Sequence, residues 1–555
     1  MTQNLATKYP DDLLFLPLGG SGEIGMNLNM YCHKGKWLLV DYGAGFADEF
    51  LPGVDMIVPD IDFIRKNKHN VVGLMLTHAH EDHIGGLVHV WENFDFPIYA
   101  SPFTAAFVRE KMRDSKMTSY PEIVVVRSGD RLNVGPFDVE CVHLTHSTPE
   151  MHALCIRTDV GNIFHTGDWK FDPDPVAGDC TDMERLRQLG DEGILMAIGD
   201  STNVFSEGHS GSEGELLDPI AELVAGTQGM AVVTTFASNV ARLETLMRVA
   251  EKTGRHAVMA GRSLWRIYRA ACQSGYFQDL PEPLTDRSIG NLAKKNTLAI
   301  VTGCQGEPMA AMSKILNGRH PTIRLAKSDA VIFSSKIIPG NDKRIHFMIN
   351  ELIRRDIAVF TTETDKVHVS GHPRREELKK LYSLLRPKIV IPMHGEDMHL
   401  REHALFAKEE CGVPKTIRLH NGDVLRMTKH DADVVDKVEA GYFAVDGSSM
   451  LPPHGSVMKM RRRMVKDGVV CVALVVDRGE AFPIVAAPGL LDQNDDADLI
   501  TALKEEIDAA LQGMESRKKR GTFKDLEQSI RQTVRRFCQR ELGKNPPVEI
   551  VAQNI

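Results

Sequence analysis

The run Thr77-His78-Ala79-His80-Glu81-Asp82-His83 constrains this chain more than any other stretch, because it sets four potential metal ligands within residues 78–83. It follows the apolar segment Val71-Val72-Gly73-Leu74-Met75-Leu76, which predicts a buried strand, and precedes Gly85-Gly86, which predicts a helix start. A turn at a strand end can aim alternate side chains into one cavity, so the spacing His-x-His-x-Asp-His can serve two adjacent cations. Imidazole and carboxylate donors suit zinc, with manganese also compatible. The bland alternative is a histidine-rich surface turn, and what weighs against it is the supply of further ligands downstream.

Two cations need a bridging ligand and at least one closing ligand each. His146 in Leu144-Thr145-His146-Ser147, Asp168 in His165-Thr166-Gly167-Asp168, Asp41 after Leu38-Leu39-Val40, and His394 in Ile391-Pro392-Met393-His394-Gly395-Glu396 all end a predicted strand before a turn. Asp168 suits bridging, since a carboxylate has two oxygens. Singly, each serves as readily as a cap or surface group; together with the first motif they complete a two-metal set. His89, His143, His152 and His165 are left over and read as structural or as outer supports of the ligands.

Strand signals crowd residues 12 to about 205, strands and helices alternate from about 213 to 362, and helix, strand and helix follow over 374–410. The alternation predicts parallel βαβ units in a separate α/β domain. Residues 431–453 read as an irregular linker and 454–555 as a small α/β domain with amphipathic helices over 498–513 and 523–542. Gly20-Ser21-Gly22-Glu23-Ile24-Gly25 satisfies the dinucleotide-binding pattern, but a strand follows where that motif needs a helix. A tight hairpin beside the metal cleft explains it better. Nine cysteines without a Cys-x-x-Cys pair argue against a thiolate zinc site or a disulfide framework and point to a reducing cytoplasm. No apolar core lies between Met1 and Asp12, and no run reaches the roughly 18 apolar residues of a membrane span. The net charge of −9 gives no whole-chain signal for a polyanion, although metals and local clusters supply positive potential where it is needed.

Asp41, the 78–83 motif, His146 and Asp168 resemble, in order, the signature motifs of the metallo-β-lactamase superfamily. His368-Val369-Ser370-Gly371-His372 and Pro392-Met393-His394-Gly395-Glu396 resemble its β-CASP nucleic-acid-processing branch. Phe236-Ala237-Ser238-Asn239, Thr302-Gly303-Cys304-Gln305-Gly306-Glu307-Pro308 and Pro339-Gly340-Asn341, with the C-terminal extension, resemble the bacterial ribonuclease J family. The resemblance implies an αββα sandwich over 1–210 completed by 363–430, an inserted β-CASP α/β domain over 211–362, and a C-terminal α/β domain.

Carried over, it implies one metal on His78, His80 and His146, another on Asp82, His83 and His394, with Asp168 shared and Asp41 orienting a ligand or water. The implied cofactors are two zinc ions per subunit, with manganese or magnesium supporting activity. His372 is implied to support the leaving group, aided by Asp82. Residues His368, Val369, Ser370 and Gly371 would hold the scissile phosphate, and Ser238 and Asn239 a nucleotide. The implied reaction is hydrolysis of single-stranded RNA by 5′→3′ exonuclease and endonuclease modes, leaving 5′-phosphate and 3′-hydroxyl, in mRNA turnover and rRNA maturation. A terminal 5′-phosphate would meet Ser334, Ser335, Lys336 and the turn at Asn341. A structural calcium would take Asp446 and the carbonyls of Pro52 and Val54. Lys459, Arg461, Arg462, Arg463 and Lys466, and the run Arg517-Lys518-Lys519-Arg520, read equally as RNA contacts or as solvated faces. The C-terminal domain would join subunits into a homodimer or homotetramer, the apolar stripe Leu499, Leu503, Ile507 and Leu511 serving a partner or its own sheet. A role in an RNA-decay complex is also implied, and no membrane. Three alternatives remain open at this point: a lactone, thioester or β-lactam hydrolase, a DNA-directed β-CASP nuclease, and an inactive scaffold.

Overall fold

The computed structural model describes residues 5–115, 117–338, 340–429, 431–477, 480–515 and 523–554. Pro339 and the basic run 517–520 lie outside the described residues. The chain forms two compact units, residues 1–45 with 58–441, and residues 46–57 with 442–555.

The first unit contains two large sheets. An eight-stranded sheet runs in the order Ala432–Lys437, Asp423–Met427, Leu13–Gly19, Leu28–His33, Lys36–Val40, Val71–Met75, Ile98–Ala100 and Ile123–Val125. A seven-stranded sheet runs Arg131–Val134, Phe137–His143, His152–Arg157, Asn162–His165, Ile194–Asp200, Ile389–Met393 and Lys415–Thr416. Their facing sides share one core, with Phe15, Tyr31, Leu38, Val40 and Met75 from one sheet against Phe137, Leu154, Ile163, Ile198 and Ile391 from the other. Helices Met183–Glu192, Arg375–Leu385 and Asp397–Glu409 bury Leu186, Leu381 and Phe406 over the outer side of the second sheet. Sandwiching a sheet between a second sheet and helices buries both its faces, which is why strands such as Ile389–Met393 are apolar throughout rather than alternating.

Topology makes one edge of this sandwich chemical. Lys36–Val40 runs parallel to Val71–Met75, and Asn162–His165, Ile194–Asp200 and Ile389–Met393 are mutually parallel neighbours. Their carboxyl ends therefore come out together, and Asp41, His78, Asp168, Asp200 and His394 sit at or just past those ends. Asp41 and His394 take left-handed backbone, with φ of 61° and 53°, which costs on the order of 1 kcal/mol or more each in a non-glycine residue.

The inserted segment carries a six-stranded sheet in the order Leu284–Thr285, His256–Ala260, Thr297–Val301, Ala231–Thr234, Ala330–Phe333 and Ala358–Phe360, parallel at every pairing. Gly20–Gly25 opens no helix: Ser21–Gly22 pairs instead with Gly395–Glu396, and a Cβ at Gly25 would stand 3.4 Å from that of Asp82. The glycine motif thus braces the cleft from behind, and the dinucleotide pattern is a coincidence.

The second unit holds a three-stranded sheet, Glu480–Ala486, Val470–Asp477 and Val548–Asn554. Leu503, Ile507 and Leu511 of helix Ala497–Glu515 pack with Ile530, Val534 and Phe537 of helix Phe523–Leu542 and Val472 of the sheet. The helical stripe therefore packs in its own core. Residues 431–453, expected as an irregular linker, instead carry strands Ala432–Lys437, Tyr442–Asp446 and Ser449–Leu451. Their polar composition reflects half-exposed pairing rather than lack of structure. No described helix is long and apolar enough to cross a membrane.

Candidate metal centre and nucleic-acid cleft

The strand Val71–Met75 ends before Thr77, and helix Glu81–Ile84 begins three residues after His78, so the motif is a strand-to-helix turn. Among the described residues its side chains enter two of three overlapping donor groups, each with ligand atoms within 4.8 Å of one another: His78, His80, His146 and Asp168; Asp82, His83, Asp168 and His394; and, without the motif, Asp168, Asp200, His372 and His394. Asp168 belongs to all three, as a bridging carboxylate must.

A hydrogen-bond chain behind the donors sets their tautomers. Asp41 accepts from the Thr77 N–H at 2.8 Å, from the Thr77 hydroxyl at 2.8 Å and from His83 Nδ1–H at 2.7 Å. With its one proton committed to Asp41, the Thr77 hydroxyl can only accept from His78 Nδ1–H, 3.0 Å away. His146 Nδ1–H donates to the Gly371 carbonyl at 2.6 Å. His78 and His146 thereby turn an unprotonated Nε2 into the cleft, the arrangement that outer partners impose on metal-binding histidines, while His83 keeps its Nδ1–H on Asp41 and faces the cleft through Nε2. Asp41 thus orients two ring donors.

The electrostatics separate the two halves. Burial, reinforced by neighbouring rings, holds His78 and His146 well below the ordinary histidine range, and burial takes His80 down to about 4. These rings are neutral and ready to coordinate. Burial also opposes charge on His83 and His394, yet Asp168 and its fellow carboxylates outweigh it, raising His83 well above the ordinary value and His394 to about 10. Burial penalises the Asp168 anion, but His394 and His83 hold it down to about 2.

Asp168 Oδ2 is buried with His83 Nε2 3.1 Å away but, among the described residues, out of line for a well-formed hydrogen bond, which is costly for a carboxylate oxygen unless a cation meets it. Neutral His78, His80 and His146 on one side of Asp168, and carboxylates gathered around His83 and His394 on the other, fit a pair of divalent ions. His78, His80, His146 and Asp168 would hold one, and Asp82, His83, His394 and Asp168 the other.

Three residues beyond the expected set complete the cleft. Asp200 accepts from His372 Nδ1–H at 2.8 Å and lies 3.6 Å from His394 Nδ1. Its signal was present, since Ile198-Gly199-Asp200 repeats the strand-then-aspartate pattern of Asp41 and Asp168. Asn203 donates to the Ser370 hydroxyl at 2.7 Å and the His372 carbonyl at 3.1 Å. Arg242, fully buried, pairs with Glu213 and donates to the Ser334 and Val367 carbonyls at 3.0 and 3.1 Å. Burial lowers the pKa of His372, but Asp200 and Asp168 reverse that and raise it above the usual value.

Beside the 368–372 loop lies a cavity of about 210 Å³, lined by Asn203, Ser206, Lys336, Thr362, His368, Val369, Ser370 and Arg374. Ser334 and Ser335 are buried and do not line it; the Ser334 hydroxyl donates to the Val367 carbonyl. Asn341 donates to Gln305. Lys336 is the cavity's contribution from that segment. Asn239 caps helix Val240–Lys252 through its side-chain oxygen, on the Arg242 N–H at 2.8 Å, and Ser238 precedes it.

The calcium expectation does not fit. Arg461 donates from Nη1 to the Pro52 carbonyl at 3.4 Å and pairs with Asp446 through both its Nη atoms, at 3.2 and 2.5 Å. Arg462 donates to the carbonyls of Phe50 at 2.9 Å and Pro453 at 3.2 Å. A guanidinium stands where the dication's oxygen ligands would converge, and it is part of the helix Ser456–Asp467. These two arginines are thus structural members of the basic cluster. A calcium chelator should leave the unfolding temperature of the C-terminal unit unchanged in scanning calorimetry. Arg461→Ala should lower its stability by about 1 kcal/mol, the loss of a partly exposed charge-assisted pair.

Residues 27–226 match the metallo-beta-lactamase superfamily, 228–352 the ribonuclease J beta-CASP domain, 360–418 the Zn-dependent metallo-hydrolase RNA specificity domain, and 456–555 the ribonuclease J C-terminal domain. A ribonuclease J of Sinorhizobium meliloti is 39% identical over 97% of this chain and 97% of its own length. The chain belongs to the ribonuclease J family. Other members from Thermus thermophilus and Mycobacterium tuberculosis are 31% and 34% identical, covering 97% and 96% of the chain and 94% and 95% of their own. A crystal structure of a protein of unknown function from Enterococcus faecalis shares the fold, with a TM-score of 0.52 and 17% identity over 75% of this chain and 100% of that one. Within this family the donor groups identify the chain as a metal-dependent hydrolase.

Proposed function

We propose that the chain hydrolyses single-stranded RNA in the cytoplasm, removing nucleotides 5′→3′ from a 5′-monophosphate end and also cutting internally, in mRNA decay and rRNA maturation. The observation that carries the substrate assignment is the cavity beside the 368–372 loop, whose cationic residues Lys336 and Arg374 and whose Ser370 hydroxyl suit a phosphate. It places positive charge locally in a chain of net charge −9. The cavity, rather than Ser334 and Ser335, is the pocket assigned to the terminal phosphate.

His78, His80, His146 and Asp168 are assigned one ion, Asp82, His83, His394 and Asp168 the other, with zinc as the resident metal. Such ions, when bound, supply Lewis acidity and a water nucleophile near neutral pH. The protein's own part is positional. Asp41 and Thr77 keep His78 and His83 in the coordinating tautomer. Asp200 fixes His372 through Nδ1, leaving Nε2–H of the protonated ring to donate to the departing 3′-oxygen. Ser238 and Asn239 are assigned to an adjacent nucleotide, and residues 368–371 to the scissile phosphate. In the C-terminal unit, Phe482, Ile484 and Val551 are exposed on the sheet and are assigned to self-association as a homodimer or homotetramer.

Matched RNAs bearing a 5′-monophosphate, triphosphate or hydroxyl, and single-stranded DNA, discriminate the readings when incubated with the purified chain and Mn²⁺. Mononucleotide release mainly from the monophosphate RNA is the expected result. Preference for DNA would redirect the assignment to a DNA nuclease, and inertness on all four would remove it.

A further inference from the structure

The loop that borders the phosphate cavity also carries an outer partner of the metal centre. Gly371 Cα is so close to His146 that a Cβ built on it would meet His146 Cε1 at 2.7 Å, Nδ1 at 3.0 Å and Ser147 Oγ at 3.3 Å. Gly371 does not have positive φ, so the need for glycine here is spatial rather than conformational. Its carbonyl takes the His146 Nδ1 proton at 2.6 Å, and that bond is what leaves Nε2 free to coordinate.

The same loop is pinned from two other sides. Val367, at its start, receives hydrogen bonds on its carbonyl from buried Arg242 at 3.1 Å and from Ser334 at 2.8 Å, both on the inserted domain. Asn203, on the segment after strand Ile194–Asp200, holds Ser370 and the His372 carbonyl, and in turn accepts from Lys336 Nζ at 3.2 Å. Lys336, Asn203 and Ser370 also line the phosphate cavity. A phosphate there would meet Ser370, the residue immediately before the carbonyl that orients His146, together with Asn203, which is hydrogen-bonded to that serine, and Lys336, which is hydrogen-bonded to Asn203.

We infer that Gly371 is a positioning residue for the metal held by His78, His80 and His146, and that phosphate occupancy of the cavity and metal affinity are thermodynamically coupled through the 367–372 loop. The inference rests on the assignment of His146 to the metal centre. Linkage is reciprocal: a nucleotide monophosphate that stiffens the loop tightens metal binding, and the metal tightens the nucleotide by the same factor.

The test is zinc titration against a chromogenic chelator, with metal content after dialysis, for the wild-type chain, Gly371→Ala and Asn203→Ala, each with and without adenosine 5′-monophosphate. The wild type should hold two zinc ions per chain, the affinity of one of them rising with nucleotide. Gly371→Ala should weaken one site by about 10–100-fold, the range for loss of an outer partner, and lose the nucleotide effect. Asn203→Ala, which adds no bulk, should weaken the same site less. Equal unfolding temperatures of the three metal-free chains would exclude general misfolding as the cause. Two tightly held ions in both variants, with the nucleotide effect intact, would overturn the coupling. A wild type that holds no zinc would instead remove the metal assignment beneath it.

Discussion

Asp168→Ala will strip both metals and reduce phosphodiester hydrolysis by roughly 10³-fold or more, since even outer-partner losses cost 10–100-fold. Asp168 is the one residue shared by all three donor groups. Its removal also takes a nearby counter-charge from His83 and His394, since Asp168 lies 3.1 Å from His83 Nε2 and 3.2 Å from His394 Nδ1. Asp82→Ala removes a carboxylate from one group only, 3.2 Å from His394 Nε2, so it should lose one ion and retain the other. Elemental analysis after dialysis, alongside turnover on labelled RNA, checks both. Retention of two ions by Asp168→Ala would show that the donors do not share a bridging ligand.

His372→Ala is the second large effect, and it should separate chemistry from metal binding. Loss of a general acid costs about 10²–10⁴-fold, while the two four-residue donor groups that omit His372 stay intact. Metal content should therefore remain near wild type. Asp200→Asn should reproduce a smaller part of the loss, because it weakens the 2.8 Å bond that fixes the ring but leaves the imidazole present. KM for RNA should change little in either variant. Zinc lost from His372→Ala would reassign that histidine as a ligand, a role its place in the third donor group also permits.

The donor set was legible because its chemistry is tied to strand ends. Asp41, His78, His146, Asp168 and His394 each follow an apolar run and precede a turn, and parallel topology then brings those ends to one edge. Asp200 carries the same local signature and escaped because one more aspartate after a strand is common; only its contact with His372 marks it. Thr77 and Asn203 escaped for a different reason, since their roles lie in hydrogen bonds spanning long sequence distances. Arg242 is buried through pairing with Glu213, and nothing local distinguishes it from a surface helix arginine.

The misassignments follow the same logic. Ser334 and Ser335 look like phosphate ligands by residue type, but strand Ala330–Phe333 carries them into the core, leaving Lys336 to face the cavity. Asp446 looks like a calcium ligand until Arg461, fifteen residues along, is seen to occupy the position. Residue type proposes a ligand; the packing around it decides.

Hydrolysis in ¹⁸O-labelled water tests the central claim most directly. With a 5′-monophosphate RNA and Mn²⁺, every mononucleotide after the first should carry one ¹⁸O atom on its 5′-phosphate, and its 3′ end should be a hydroxyl, because water attacks phosphorus and the 3′-oxygen leaves. Products ending in 3′-phosphate or 2′,3′-cyclic phosphate, with unlabelled 5′-hydroxyl ends, would contradict the account.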